Sequence, residues 1–153
     1  MMILLRNFMP DEMEPLAGIV QPMVWVYADD VYRFFPSYNW DKLSKVFDSV
    51  WTAGAFKGAH GPTLAVPPIE KHLTNTLNWL NVMKTEAGKF KKGFYGMVTT
   101  GWQRYDHFAI LCEILPVAIP SLAVQVHFTS TEYSGVQFCG LCPALNERSA
   151  KSK

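Results

Sequence analysis

Three times along the sequence a short apolar run gives way to a polar, aromatic or glycine-rich stretch and then to a helical pattern. That alternation constrains the fold more than any other feature of the chain. The first run is Met23-Val24-Trp25-Val26-Tyr27-Ala28, preceded by Pro22. Its unbroken apolar character suits a strand covered on both faces. Asp29-Asp30 ends it, and these two acids read either as a cap for the next element or as site residues. Asn39 then offers an N-cap before Trp40, Leu43, Val46 and Phe47, whose spacing marks one face of a helix.

The second unit opens with Val50-Trp51-Thr52-Ala53 as a strand. Gly54 to Pro62, with Gly58 and Gly61 between them, reads as a shaped loop. A helix is expected after Pro67-Pro68, since proline is tolerated in a first turn. Ile69, Leu73, Leu77 and Leu80 would form its apolar stripe, flanked by Trp79 and Val82. In the third unit Phe94 to Thr100 reads as a strand and Gly101 to His107 as its loop. Asp106 would cap a helix from about His107 to Leu115, ended by Pro116. Ile119 to Val126 is a last apolar segment.

Strands alternating with helices imply parallel strands joined by right-handed crossovers. The 153 residues fit one domain. Three units cannot close an eight-stranded barrel, which needs ~200 residues or more. The expected fold class is therefore α/β, either a small open sheet or a piece of a larger barrel. From about Gln125 the pattern dissolves into Ser, Thr, Gly and Lys. The expected division is residues 1–124 as the globular part and residues 125–153 as a disordered tail.

Composition removes several function classes. Apolar residues make up 49%, with five Trp, six Tyr and ten Phe, enough for a real core. A net charge of +1 gives no basic face for nucleic acid or an anionic membrane. Lys84, Lys89, Lys91 and Lys92 surround Gly88 and read as a solvated loop. The N-terminus lacks a long apolar core and a small-residue cleavage site, so no signal peptide is expected. No apolar run approaches the ~20 residues that span a bilayer, and Ile110 to Val126 is interrupted by Glu113, Pro116 and Pro120. The chain reads as soluble, in a reducing compartment.

Metals, cofactors and nucleophilic motifs find little support. Cys139-Gly140-Leu141-Cys142 is a CxxC with no second ligand pair, and it does not stand at a helix start after a strand. It reads as coincidence. Cys112 reads as a core residue within the third helix. His60, His72, His107 and His127 have no metal-ligand spacing. There is no phosphate loop, no GxGxxG, no HExxH and no GxSxG.

What remains is the chemistry gathered where strands end, the active end of α/β folds. Trp25, Tyr27 and Asp29 follow the first strand, Phe56 and Lys57 the second, and Trp102, Arg104, Tyr105 and Asp106 the third. Aromatic rings beside carboxyl and guanidinium groups suit a sugar, whose apolar C–H face stacks while its hydroxyls need fixed partners. Trp25, sharing a strand face with Tyr27, reads equally as core. Arg104 and Asp106 read equally as a local ion pair. Trp102, in a polar loop, is the residue least explained by packing.

Three segments carry a resemblance: Met23 to Asp30, Ala55-Phe56-Lys57-Gly58-Ala59, and above all Thr100-Gly101-Trp102-Gln103-Arg104-Tyr105-Asp106-His107. With Leu111 to Pro116 and Ile119-Pro120-Ser121-Leu122, they resemble the β-N-acetylhexosaminidases of glycoside hydrolase family 20, of the hexosaminidase D type. The likeness covers about residues 5 to 124. It implies the C-terminal part, about three βα units, of a (β/α)₈ TIM barrel with an irregular tail. It also implies an exo-acting glycosidase that removes terminal N-acetylgalactosamine or N-acetylglucosamine from glycoconjugates, without a cofactor.

In that family a Glu is the general acid and the substrate's acetamide oxygen attacks the anomeric carbon, oriented by a neighbouring Asp. Their Asp-Glu motif follows a His-x-Gly pattern that this sequence lacks. Asp11-Glu12 precedes the first strand and reads as a helix-start charge. No catalytic residue is therefore assigned: the acid pair is expected upstream of Met1, and the isolated chain is expected to be inactive. The resemblance makes Trp25 a pocket wall, Trp102 the stacking platform for the terminal sugar, and Arg104 and Asp106 hydroxyl-binding groups. Tyr105 is either pocket or packing. The wider family's Tyr-x-Asp contact is replaced here by Trp51-Thr52-Ala53-Gly54, leaving the acetamide contact unassigned. It further implies a homodimer of the full-length enzyme and a cytoplasmic or nuclear location. The competing readings are a non-catalytic carbohydrate-binding or regulatory fragment and an unstable truncated product with open strand edges.

Overall fold

The structure, a computed structural model, describes residues 10–132. A short helix α1 (Pro10–Met13) carries Asp11 and Glu12 in its first turn, where acids favour a helix start, and runs into a 3-10 turn at Glu14–Leu16. Then follow β1 (Met23–Trp25), α2 (Val31–Phe34), α3 (Ser37–Val46), β2 (Val50–Lys57), α4 (Ile69–Glu86), β3 (Phe94–Gly101) and α5 (Leu115–Glu132). The three strands form one parallel sheet in the order β1-β2-β3. The alternation read from the sequence is thus present, as a mixed α/β structure.

Strand parity sorts the sheet into two different faces. Val24, Val50 and Met97 belong to the core with Trp79, Val82 and Met83 of α4. Thr52 Oγ1 donates to Met83 Sδ at 3.4 Å, and Gly54 lies under Asn75 and Trp79. Trp79 Nε1 and Asn75 Nδ2 each donate to Val26 O at 3.0 Å, so α4 grips the backbone that leaves β1. Trp40 and Leu43 of α3 complete this core, with Phe90 and Phe94 edge-on to Trp40. Burying a side chain of this size stabilises by about 2–3 kcal/mol. The opposite face carries Trp25, Trp51 and Val98, all only partly buried. A shift in register between Val50 and Trp51 inserts Tyr95 into β3 and turns its ring onto Trp51, with centroids 5.5 Å apart.

Several expectations are corrected. β1 stops at Trp25, because Val26 and Ala28 give their carbonyls to α4 rather than to β2. Asn39 does not cap α3: the helix starts at Ser37 after Pro36, and Asn39 is buried inside it. β2 continues through Gly54 and Ala55 to Lys57. The buried face of α4 keeps Leu80 of the predicted leucine stripe and its flanking Trp79 and Val82, but otherwise departs from it. That face also includes His72, Asn75, Thr76 and Glu86, while Leu77 is exposed. No helix spans 107–114; that segment is a loop with Phe108 95% exposed, and Leu115 opens α5. Pro116 stands in the first turn of α5 instead of ending a helix, and Pro120 lies within it.

The expected boundary at residue 124 falls inside α5. Ala118, Ser121, Gln125 and Thr129 are its buried line, and Thr76 Oγ1 of α4 donates to Gln125 Oε1 at 3.1 Å. Residues 125–132 are therefore helical, tied down by a polar stripe that apolar periodicity does not reveal. Cys139 and Cys142 lie outside the described residues. Cys112 is buried as expected, but in a loop. Lys89 pairs with Asp41 at 2.6 Å and Glu86 at 2.8 Å, and Lys91 and Lys92 pair with Asp48. Acids thus answer most of the basic cluster around Gly88. Among the described residues no helix is long and apolar enough to cross a membrane.

Candidate functional site

The three strands run the same way, so the loops that follow them meet at one end of the sheet. After β1, Asp30 Oδ1 accepts from Arg33 N at 3.3 Å and caps α2. This leaves Asp29 beside a cleft of about 610 Å³. Trp25 and Tyr27 line the cleft from β1 and its exit, Phe34 and Phe35 from α2 and its end. Ala59 and His60 line it after β2, Lys71 at the start of α4, and Tyr105 after β3. An aromatic wall with a few polar groups at its rim is the usual composition of a small-molecule site.

Three rings make that wall continuous with the β3 loop. Trp25 and Tyr27 stack with centroids 5.4 Å apart and planes at 24°. Tyr27 meets Trp102 edge-on at 4.9 Å and 77°. Trp102 does not line the cleft itself; it borders it through Tyr27. The hydroxyl of Tyr27 is buried without a hydrogen-bond partner. Thr100 lies beside it, but the Thr100 hydroxyl gives its proton to Gly54 O at 2.8 Å. Burial raises the Tyr27 pKa above its ordinary value, a shift the Thr100 side chain partly offsets.

Of the residues expected to bind sugar, Trp25 and Tyr105 line the cleft and Trp102 touches its wall. Arg104 and Asp106 turn onto their own loop. Arg104 Nη1 donates to Ala109 O at 2.6 Å, while Asp106 Oδ1 accepts from Phe108 N and Ala109 N, both at 2.9 Å. The predicted capping role of Asp106 is real, but it caps a turn rather than a helix.

Two histidines were missed by sequence reasoning. His60 and His72 sit with ring centroids 4.6 Å apart, and the Nε2 atom of each is buried without a partner. Burial, then the neighbouring His60, pushes His72 down to about 4, against a hydrogen bond to the Ala55 backbone. Burial and then Lys71 lower His60, with Asp29 and Glu113 opposing. Twelve positions of separation carry no signal of contact, since the pairing arises from the chain reversing between β2 and α4. Lys71 is equally silent in the sequence. Among the described residues no group of three or more His, Cys, Asp or Glu could hold a metal ion.

Comparison with known proteins places this geometry in a context. Over 119 residues, 75% of this chain, the sequence is 40% identical to hexosaminidase D of Homo sapiens. Over 124 residues, 79% of this chain, it is 41% identical to hexosaminidase D of Bos taurus. The chain spans 24% of the first relative's length and 35% of the second's. No family model matches it. The chain is thus related in sequence to a part of hexosaminidase D, and the resemblance read from its strand ends holds.

Proposed function

We propose that this chain, related to part of hexosaminidase D, is the sugar-binding portion of an exo-acting β-N-acetylhexosaminidase built on a (β/α)₈ barrel. The observation that carries the reading is the run of three rings, Trp25, Tyr27 and Trp102, delivered by two strand ends to one side of the sheet. A pyranose needs such a wall for its C–H face, and polar groups at the rim for its hydroxyls. Asp29, His60 and Lys71 supply the rim here. The parallel strands, with α3 and α4 packed on one face and aromatic side chains on the other, suit an arc of barrel wall whose bare face looks inward. On this reading the barrel portion runs through α5 to Glu132.

The whole enzyme would release terminal N-acetylgalactosamine or N-acetylglucosamine from glycoconjugates by substrate-assisted, retaining catalysis. The general acid and the acetamide-orienting carboxyl group would come from the part of the relatives' length that this chain does not cover. Trp25, Trp102 and Tyr105 would bind the sugar, and Arg104 and Asp106 would shape the loop that presents Trp102. Without the acid pair the chain holds a sugar but lacks the groups to cleave it.

Two measurements test this. Purified chain incubated with a 4-nitrophenyl β-N-acetylgalactosaminide is expected to release no chromophore, whereas calorimetry with N-acetylgalactosamine is expected to show saturable binding lost in Trp102→Ala. Chromophore release, or binding indifferent to Trp102, would overturn it. The partly exposed face bearing Trp25, Trp51 and Tyr95 also favours a second reading, an unstable truncated product. Aggregation of the purified chain at micromolar concentration would support that reading.

A further inference from the structure

Two buried ionisable side chains, Lys57 and Glu113, lie behind the aromatic wall, each 1% exposed. Neither belongs to the cleft lining. Lys57, the last residue of β2, donates from Nζ to Trp102 O and, at 3.4 Å, to Cys112 O. Glu113, in the loop after β3, accepts from the backbone N–H of Gly58 at Oε2. Each side chain therefore satisfies the backbone of the opposite loop. One further bond crosses between the loops, Glu113 N to Leu64 O, while Cys112 N to Gln103 O ties the β3 loop to itself, both at 3.1 Å.

The local backbone is shaped to permit this. Gly58 has φ +76°, and a Cβ there would lie 2.6 Å from Trp102 O. Glu113 itself has φ 47°, a left-handed conformation that a side chain of its kind seldom adopts. Backbone strain at a residue with a buried carboxyl group persists only when the surroundings over-determine it, and such positions gather at functional sites. The two loops joined this way are those that bring His60 and Tyr105 to the cleft and Trp102 to Tyr27.

We propose that Lys57 and Glu113 are positioning residues, a reciprocal clasp that fixes the β2 and β3 loops so that Trp102 meets Tyr27 and the sugar wall is preformed. The inference deepens the sugar-binding reading and rests on it for its functional consequence. Preorganised walls bind more tightly because ordering is not required on association. The carboxyl group is needed as an acceptor for Gly58 N, so an amide of the same shape retains most of the function. Lys57 serves two carbonyls at once, and an apolar side chain of similar length leaves both unmet.

The test uses uniformly ¹⁵N-labelled chain and the variants Glu113→Ala, Glu113→Gln and Lys57→Met, with Val46→Ala as a remote stability control. Exchange of the Gly58 amide is expected to accelerate roughly tenfold or more in Glu113→Ala and far less in Glu113→Gln. The Trp102 indole N–H resonance is expected to move in Lys57→Met. Calorimetric affinity for N-acetylgalactosamine is expected to fall roughly tenfold in Glu113→Ala and Lys57→Met, to recover in Glu113→Gln, and to stay within about twofold in Val46→Ala. Unchanged Gly58 exchange in Glu113→Ala overturns the clasp. A broken clasp with undiminished affinity overturns its positioning role. If wild-type chain binds no sugar, the site reading fails, and the two resonances alone decide the clasp: a static Trp102 indole in Lys57→Met overturns it.

Discussion

The ring of Tyr27 meets that of Trp102 edge-on, with centroids 4.9 Å apart, although the two residues are 75 positions apart in the chain. Tyr27 also stacks on Trp25, so one phenol ring joins the β1 and β3 ends of the sheet. Tyr27→Ala removes both ring contacts and part of the buried area, and is expected to cost about 2–3 kcal/mol in urea unfolding. Tyr27→Phe keeps the rings and deletes a buried hydroxyl with no bond partner. Such a deletion is expected to be neutral or to stabilise by up to about 1 kcal/mol. Equal losses in the two variants would show that the hydroxyl is bonded after all.

Two glycines share one positive φ but not one environment, which separates strain from crowding. Gly18 and Gly58 both have φ +76°, yet nothing lies within 4 Å of a Cβ built on Gly18. A Cβ on Gly58 meets Trp102 O at 2.6 Å, a backbone atom that cannot swing aside. Gly18→Ala is expected to cost about 1 kcal/mol, the left-handed penalty alone. Gly58→Ala is expected to cost about 3 kcal/mol, because overpacking adds to the penalty. Denaturant midpoints measure the difference, and matching midpoints would refute the crowding at the loop crossing.

The paired imidazoles make stability depend on acid. His72 is pushed down to about 4 by burial, so the folded chain takes up its proton less readily than the unfolded chain, whose value is near 6.5. The stabilisation is complete above the unfolded value and is lost as pH falls from about 6.5 towards 4. His60, also lowered, adds to the loss in the same direction. His72 contributes a slope that approaches at most about 1.4 kcal/mol per pH unit within its window. His72→Gln is therefore expected to flatten the decline in urea midpoint between pH 6.5 and 4.5. Parallel curves for wild type and variant would mean that His72 titrates normally in the fold.

What the sequence made legible, and what it hid, follows from where polar groups are buried. The parallel strands and the long helix after Pro67-Pro68 were readable because apolar runs and proline act locally. The extent of β2 was not. Gly54 and Ala55 look like loop residues, but Gly54 is small because Met97, Asn75 and Trp79 crowd it within the sheet. The inner faces of α4 and α5 were also hidden, since Asn75, Thr76, Ser121 and Gln125 satisfy one another or nearby backbone and escape a search for apolar periodicity. The error at 107–114 has the opposite cause. Phe108, Ile110 and Leu111 look like core residues, yet all are exposed in the loop. At the site, ring-bearing residues at strand ends were visible, whereas His60 with His72 and Lys57 with Glu113 come together only through loop crossings.

The sheet face that bears the candidate site supplies its own control for the sugar reading. Trp25 and Trp51 share that face, one at the end of β1 where the loops gather and the other at the start of β2. Trp51 stacks on Tyr95 and donates from Nε1 to Gln21 Oε1 at 2.8 Å, so its ring is occupied away from the cleft. Trp25 lines the cleft beside Tyr27. If a pyranose stacks at the strand ends, Trp25→Ala is expected to weaken N-acetylgalactosamine binding by about 2 kcal/mol, some thirtyfold. Trp51→Ala removes as much aromatic surface from the same face, yet is expected to change affinity by less than about threefold. Calorimetry on both variants, at a pH near 7 where His72 is neutral, makes the comparison direct. Equal losses would trace the effect to general damage of the exposed face, and a larger loss in Trp51→Ala would move the binding surface to the opposite end of the sheet.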